Sequence, residues 1–408
     1  MSRETDRRRF LRAIGGTGTV TALAGCTSFG GGENGGTTAI GMANSLTGSL
    51  DAFGDRNERG MEMALSAIND VGLRGGELEI VVEDTQSEPG PGVSAAQRLV
   101  EQNDVPLIVG AVNSDTSLSI YQSVVQGTDV VQISQNSTSP DLTDFPDLLR
   151  ISPPGRAQAS AIADLIADDG HESVAVAHLN TAYGQGIADE FAAAYDGEVP
   201  YMQAHETGQS SYSNVITGMQ ESGADAWLFV TFQPEFVTMA NNATDEGVTD
   251  VPVYGADSVK GPEVIDQAPS EFIEGMKAVV PSAALDQENY QSFSSAFQEE
   301  FDQEPTAWAA YAYDAIVTGA LAIEAAEEVS GAAIGEVVRD VTRPEGETAT
   351  TYEAAHEILA DGGSASDVDY QGVSGPIDLD ENGDPVGFLQ VFTVQDEAYE
   401  PTGFVAGS

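Results

Sequence analysis

From Thr37 onward the sequence alternates short apolar runs with amphipathic stretches, and no other feature constrains the fold as much. Residues 39–43, 78–82, 105–109 and 130–134 read as strands, while 61–68, 93–100 and 118–125 carry apolar residues at helical spacing. After a strand at 148–152 the alternation resumes, with strands at 174–178, 200–204, 226–231 and 251–255 set between helices at 158–167, 186–194, 212–221, 235–245 and 262–267. Repeated strand and helix units of this length specify parallel sheets covered on both faces. Two such series predict two similar, doubly wound α/β lobes.

Pro153-Pro154-Gly155, and Pro281 at the end of the apolar run 276–280, read as crossings between the lobes. Helices at 290–301, 307–327 and 354–360 then return to the first lobe. The tail, 373–393, alternates apolar residues about Asn382-Gly383, which signals a hairpin, and is placed on the second lobe after a third crossing. The expected organisation is 38–152 with 282–372 as lobe 1 and 153–281 with 373–405 as lobe 2, joined by a three-strand hinge.

The 408 residues include 66 acidic side chains against 15 Lys plus Arg, a formal net charge of −51. A surface of that sign repels nucleic acid and anionic lipid headgroups, so neither is expected as a partner. The acids are spread along the chain instead of gathering into a ligand cluster. They point to a halophilic surface whose stability rises with salt, as self-repulsion is screened.

The only cysteine, Cys26, excludes an intramolecular disulfide. It follows a basic head, Arg7-Arg8-Arg9-Phe10-Leu11-Arg12, and a short apolar segment ending in Leu23-Ala24-Gly25. Residues 1–25 resemble a twin-arginine lipoprotein signal, with Cys26 the lipidated residue and 26–37 a Gly-rich tether. The apolar segment 307–326 is interrupted by Asp314 and Glu324 and reads as a packed helix, not a membrane span.

The strand 105–109 breaks at Gly110 and reaches Ser114-Asp115-Thr116 just before a helical pattern. At such a junction free backbone N–H groups and a hydroxyl meet anionic ligands, which nominates Ser114 as a carboxylate holder. Thr138 lies in the sequon Asn136-Ser137-Thr138 after the next strand, and faces the same crevice if the two strands are neighbours. No glycan is then expected at Asn136, whereas Asn242-Ala243-Thr244 remains an acceptor. Asp378 to Gly383 matches the start of a calcium loop, but Leu389 stands where the bidentate glutamate belongs. The four histidines lack ligand spacing and no Gly-x-Ser-x-Gly turn occurs, so no metal, cofactor or catalytic residue is expected.

Six segments follow one another in a telling order: Leu46-Thr47-Gly48 with Phe53-Gly54, Arg59-Gly60 to Asn69, Val82-Glu83-Asp84-Thr85-Gln86, Val109-Gly110 to Ser114, Tyr183-Gly184-Gln185-Gly186 and Ala310-Tyr311-Ala312-Tyr313-Asp314-Ala315. Together they resemble the branched-chain amino acid-binding proteins of ABC transporters, of the type I periplasmic-binding fold, over nearly all of residues 38–400. The resemblance implies that Ser114 and Thr138 bind a ligand α-carboxylate. It implies that the Asn136 carbonyl and Asp257 bind the ammonium, and that Phe53, Tyr183, Phe232, Tyr311 and Trp308 wall the pocket. Phe53 stands where the family often has Trp, and Phe232 where it can have Tyr, which removes hydrogen-bonding groups from that wall.

A monomeric, non-enzymatic receptor is implied, lipid-anchored outside the cytoplasmic membrane, closing on a small apolar amino acid and delivering it to ABC permease subunits. The alternatives are a receptor for an amide, a urea or an aromatic acid, an exported hydrolase, and a sensor ectodomain. A cargo without an ammonium would make Asp257 dispensable but not Ser114.

Overall fold

The computed structural model describes residues 36–406; the leader, Cys26 and the tether up to residue 35 lie outside the described residues. The chain runs through β1 (Thr37–Asn44), α1 (Asp51–Val71), β2 (Glu77–Asp84), α2 (Pro89–Asn103), β3 (Leu107–Gly110), α3 (Ser114–Ile120, prolonged by a π turn Tyr121–Val125), β4 (Val131–Ser134) and β5 (Leu148–Arg150). The five strands form one parallel sheet in the order β2-β1-β3-β4-β5. Every residue of β3 and β4 is buried, as strands covered on both faces require. Helix α1 buries Phe53, Asn57, Met61, Ala64 and Ile68, one stripe at helical spacing.

The second lobe opens with α4 (Gly155–Asp168). It continues through β6 (Ser173–Leu179), α5 (Ala182–Ala194), β7 (Glu198–His205), α6 (Ser213–Ser222), β8 (Ala226–Val230), α7 (Gln233–Asp245), β9 (Val253–Gly255), α8 (Pro262–Gln267), α9 (Ser270–Ile273) and β10 (Lys277–Ser282). Then come α10 (Glu288–Phe301), α11 (Ala307–Ala325), α12 (Gly331–Val337), β11 (Glu347–Ala349), α13 (Tyr352–Ala360), β12 (Val368–Gly372), β13 (Gly375–Pro376), β14 (Phe388–Gln395) and β15 (Ala398–Ala406). The second sheet has the order β15-β14-β10-β9-β8-β6-β7, parallel from β7 to β10 and antiparallel beyond, while β11, β12 and β13 form a small third sheet. In both large sheets the winding reverses beside the first strand, between β1 and β3 and between β6 and β8. The carboxyl ends of those strands frame a crevice where ligands of open α/β sheets bind.

Helix α11 packs along α1, buried from Trp308 to Ile323. A Cβ at Gly60 would lie 2.1 Å from the Ala309 carbonyl oxygen, so only glycine permits this approach. No described helix is long and apolar enough to cross a membrane.

Three sequence expectations change. Helix α1 begins at Asp51, well before the periodic stretch 61–68 that marks it in the sequence, so Phe53 sits on its first turn. The tail hairpin turns at Asp396-Glu397, not at Asn382-Gly383; both residues have positive φ, 51° and 63°, as a two-residue turn between twisted strands requires. Asn382-Gly383 instead belongs to a turn in which Asp380 Oδ1 accepts the N–H groups of Asn382 and Asp384. Finally, residues 373–384 stay with the first lobe. The Leu379 N–H donates to Thr342 Oγ1, the Arg150 N–H donates to the Gly383 carbonyl, and β13 pairs with β12. The third crossing therefore comes later, at Gly387, where a Cβ would lie 2.1 Å from Cβ of Pro153 in the first crossing.

Candidate functional site

The crevice between the lobes holds a cavity lined by Leu50, Phe53, Val112, Asn113, Ser114, Asn136, Thr138 and Trp308 from the first lobe and by Tyr183, Phe232, Asp257 and Ser258 from the second. Eight of the nine residues expected from the sequence meet here. The exception is Tyr311, which does not line the cavity: it packs edge-on behind Trp308, ring centroids 5.7 Å apart, and donates its hydroxyl to the Ser282 carbonyl. Helix α11 is buried all round, so its sequence carries no face from which this orientation could be deduced.

On the first-lobe side, Asn113 caps α3 by accepting the Thr116 N–H, which makes Ser114 the first helical residue. Its backbone N–H has no intrahelical acceptor. Ser114 Oγ accepts the Ser139 N–H at 3.1 Å, which leaves its hydroxyl proton available to an acceptor in the cavity. The buried Asn136 Nδ2 has no hydrogen-bond partner among the described residues, and Thr138 lines the cavity beside it. Asn136 Oδ1 accepts from Asn57 Nδ2, which also reaches Asn44 Oδ1, so one amide chain ties the ends of β1 and β4 to α1. Asn136 is therefore engaged in the interior, where a glycan would not fit. Beneath the loops, hydroxyls of Ser117, Ser134, Ser137 and Ser152 bond to each other and to backbone carbonyls. These donors form a rigid wall of hydroxyl and amide groups.

On the second-lobe side, Asp257 follows β9 and is buried. Its Oδ1 accepts from Gln158 Nε2 at 2.9 Å and from the Tyr183 hydroxyl at 3.1 Å, and Ser258 Oγ donates to Oδ2. Burial raises its pKa above the ordinary aspartate value, and the bonds from Gln158 and Tyr183 oppose that shift without cancelling it. No cationic side chain lines the cavity. Gln158 also donates to the Val279 carbonyl on a hinge strand, which fixes the carboxylate relative to the crossing. Nothing in the local pattern of α4 distinguishes this glutamine from an ordinary amphipathic position. Tyr183 stacks on Phe232 with centroids 5.9 Å apart, and Phe53 meets Trp308 edge-on at 5.6 Å, so aromatic faces close both sides of the cavity.

The lobes touch at the rim. The Ala182 N–H donates to Asp115 Oδ1 and the Ser139 hydroxyl donates to the Ala182 carbonyl, both at 2.9 Å. A Cβ at Gly186 would lie 2.7 Å from Cδ of Pro140 on the opposite lobe, so the Tyr183-Gly184-Gln185-Gly186 segment owes its last glycine to this approach.

A family model described as periplasmic binding protein matches residues 37–395. The chain is 30% identical over 217 residues to the Leu/Ile/Val-binding protein homolog 3 of Brucella melitensis biotype 1, covering 51% of this chain and 58% of that one. It is 26% identical over 311 residues to the leucine-, isoleucine-, valine-, threonine-, and alanine-binding protein of Pseudomonas aeruginosa, covering 74% and 82%. The chain thus spans little more than half the length of the first relative. Among solved structures, the leucine binding protein LivK of Thermotoga maritima superposes with a TM-score of 0.78 at 23% identity, over 90% of this chain and 99% of that one. A solute binding protein of Rhodopseudomonas palustris, in complex with 3,4-dihydroxy benzoic acid, superposes with 0.71 at 18%, over 91% and 98%. At these identities the structures establish a shared type I periplasmic-binding fold.

Proposed function

Because the chain belongs to the periplasmic binding protein family, we propose that it is the extracytoplasmic receptor of an ABC importer and closes on a small apolar amino acid. The observation that carries this reading is the placement of one buried carboxylate, Asp257, without a cation of its own, across a cavity from the hydroxyls of Ser114 and Thr138. A buried carboxylate is costly unless paired, and a ligand ammonium is the missing partner. Hydroxyl and amide donors opposite suit the ligand carboxylate, and the aromatic walls suit an apolar side chain. A zwitterion satisfies both sides at once only when the lobes are together, so it shifts the hinge toward closure.

An acid such as 3,4-dihydroxy benzoic acid, with which one structural neighbour is in complex, has no ammonium and would leave Asp257 unpaired. Native mass spectrometry of the protein as purified tests the assignment: a retained mass matching a branched-chain or other apolar amino acid is expected, and an aromatic acid retained in its place and lost in Ser114→Ala contradicts it. In the same account Cys26 carries the lipid anchor, the acidic surface suits salty surroundings, and the permease receives the cargo.

Closure also has a steric test. Gly186→Val places a side chain against Pro140, which would prop the rim open while leaving both cores packed. We expect amino acid affinity to fall by about tenfold or more, with a melting temperature close to the parent's. A variant that binds as tightly as the parent would show that the rim contact is not part of the bound state.

A further inference from the structure

A second depression, which shares Trp308 with the cavity, is lined by two cations and by no carboxylate. The described residues contain ten Lys and Arg. Eight of them pair with a carboxylate or donate to a carbonyl or amide oxygen. The other two, Arg56 and Lys260, make no side-chain hydrogen bond or ion pair among the described residues and lie over rings: Arg56 Cζ lies 4.9 Å from the Phe53 centroid, and Lys260 Nζ lies 4.1 Å from Phe392 and 5.4 Å from Tyr399. Both line one groove, and no acidic residue lines it, in a chain with 66 acids. Trp308 is the one residue this groove shares with the amino acid cavity.

The two cations oppose each other. Burial and then the Arg56 charge push the Lys260 ammonium down to about 8, while burial and then Arg59 lower Arg56 more than neighbouring Asp55 raises it. Arg56 belongs to α1 of the first lobe and Lys260 to the segment after β9 of the second, and Pro281 of the hinge strand β10 lines the same groove. Repulsion across the hinge therefore works against closure unless an anion lies between.

We propose that this groove is a second ligand site, for a small organic carboxylate whose charged end lies between Arg56 and Lys260 and whose apolar body rests on Tyr290, Leu285 and Trp308. A guanidinium and an ammonium are the donors a carboxylate uses best. An inorganic anion would meet the same charges but would surrender its hydration to an aliphatic and aromatic wall that returns nothing, whereas a carboxylate with an apolar body gains from both. Its occupancy joins one cation from each lobe, so it favours the closed arrangement independently of what fills the cavity on the other side of Trp308.

Titration calorimetry with benzoate as the probe, on the full chain at constant salt, tests the site. The wild type and Ser114→Ala are expected to bind benzoate alike, Lys260→Arg to retain binding, and Arg56→Met and Lys260→Met each to weaken it by about tenfold or more. Chloride titrated in place of benzoate is expected to give no saturable heat. Absence of benzoate binding by the wild type overturns the proposal. Loss in Ser114→Ala with retention in Lys260→Met also overturns it, since the probe then occupies the amino acid cavity. Saturable chloride binding that disappears in Lys260→Met overturns it in favour of an inorganic-anion site.

Discussion

Asp257→Ala is expected to weaken leucine binding by about 2–5 kcal/mol, a factor between about 30 and 4,000, because the ligand ammonium is then desolvated without a partner. Asp257→Asn separates that loss from any damage to the fold. An amide oxygen at the position of Oδ1 still accepts from Gln158 and Tyr183, and the amide nitrogen can donate to Ser258 Oγ, so the geometry survives while the charge goes. Since burial raises the Asp257 pKa in the folded state, the benefit of its neutral form is fully present below the unfolded value and is lost as pH rises through the folded one. At neutral pH the ionised side chain therefore costs the free protein stability, and Asp257→Asn should melt at a higher temperature than the parent while binding leucine more weakly. The same shift predicts that wild-type affinity declines on acidification at a higher pH than an ordinary aspartate would dictate, whereas the residual affinity of Asp257→Asn stays flat. An Asp257→Asn variant that binds leucine like the parent would remove the ammonium contact from the account.

Arg150→Met is expected to cost about 3–5 kcal/mol of stability, measured by denaturant unfolding, because it strands the Asp384 carboxylate in the interior. The Arg150 side chain is fully buried and its Nε lies 2.6 Å from Asp384 Oδ1. Its remaining nitrogens donate to the Ser139 carbonyl and to Thr143 Oγ1, and the Thr143 hydroxyl in turn donates to Asp384 Oδ2. One guanidinium thus fastens three pieces of chain: the end of β5, the loop beside Thr138, and the turn that precedes the third crossing. Arg150→Met combined with Asp384→Leu should recover much of the loss, since apolar replacement of a buried pair is often neutral. If the single and double variants were equally destabilised, the pair would not be the source of the effect. Because Ser139 also donates its N–H to Ser114, amino acid affinity should fall in the single variant as well.

The lobes were legible because parallel strands buried on both faces leave unbroken apolar runs, as in Leu107–Gly110 and Ala226–Val230. The gathering of Ser114 and Thr138 follows from their places at the ends of neighbouring strands, whereas the ligand role of Asn136 is implied only by the family resemblance. Asp257, Tyr183, Phe232, Phe53 and Trp308 were reached through family resemblance, since an aspartate after a strand and isolated aromatics carry no local mark of a cavity. Gln158 carries no mark in the sequence for a different reason: its partners, Asp257 and Val279, are 99 and 121 residues away in the chain. The tail hairpin was misplaced because Asp396 and Glu397 adopt positive φ without the glycine or asparagine that usually announces it, while Asn382-Gly383 serves the Arg150 and Asp384 anchor. Local turn chemistry names a turn but not the strands it joins.

The central claim is that the cavity recognises an ammonium and a carboxylate together. Its most direct test is whether leucine bound to the purified protein is displaced by isoleucine and valine but not by 4-methylpentanoate, which keeps the carboxylate and apolar body of leucine and lacks its ammonium. The account predicts saturable leucine binding that the branched-chain amino acids displace and 4-methylpentanoate does not. Displacement by 4-methylpentanoate as effective as that by leucine itself, or no leucine binding at all, would contradict it.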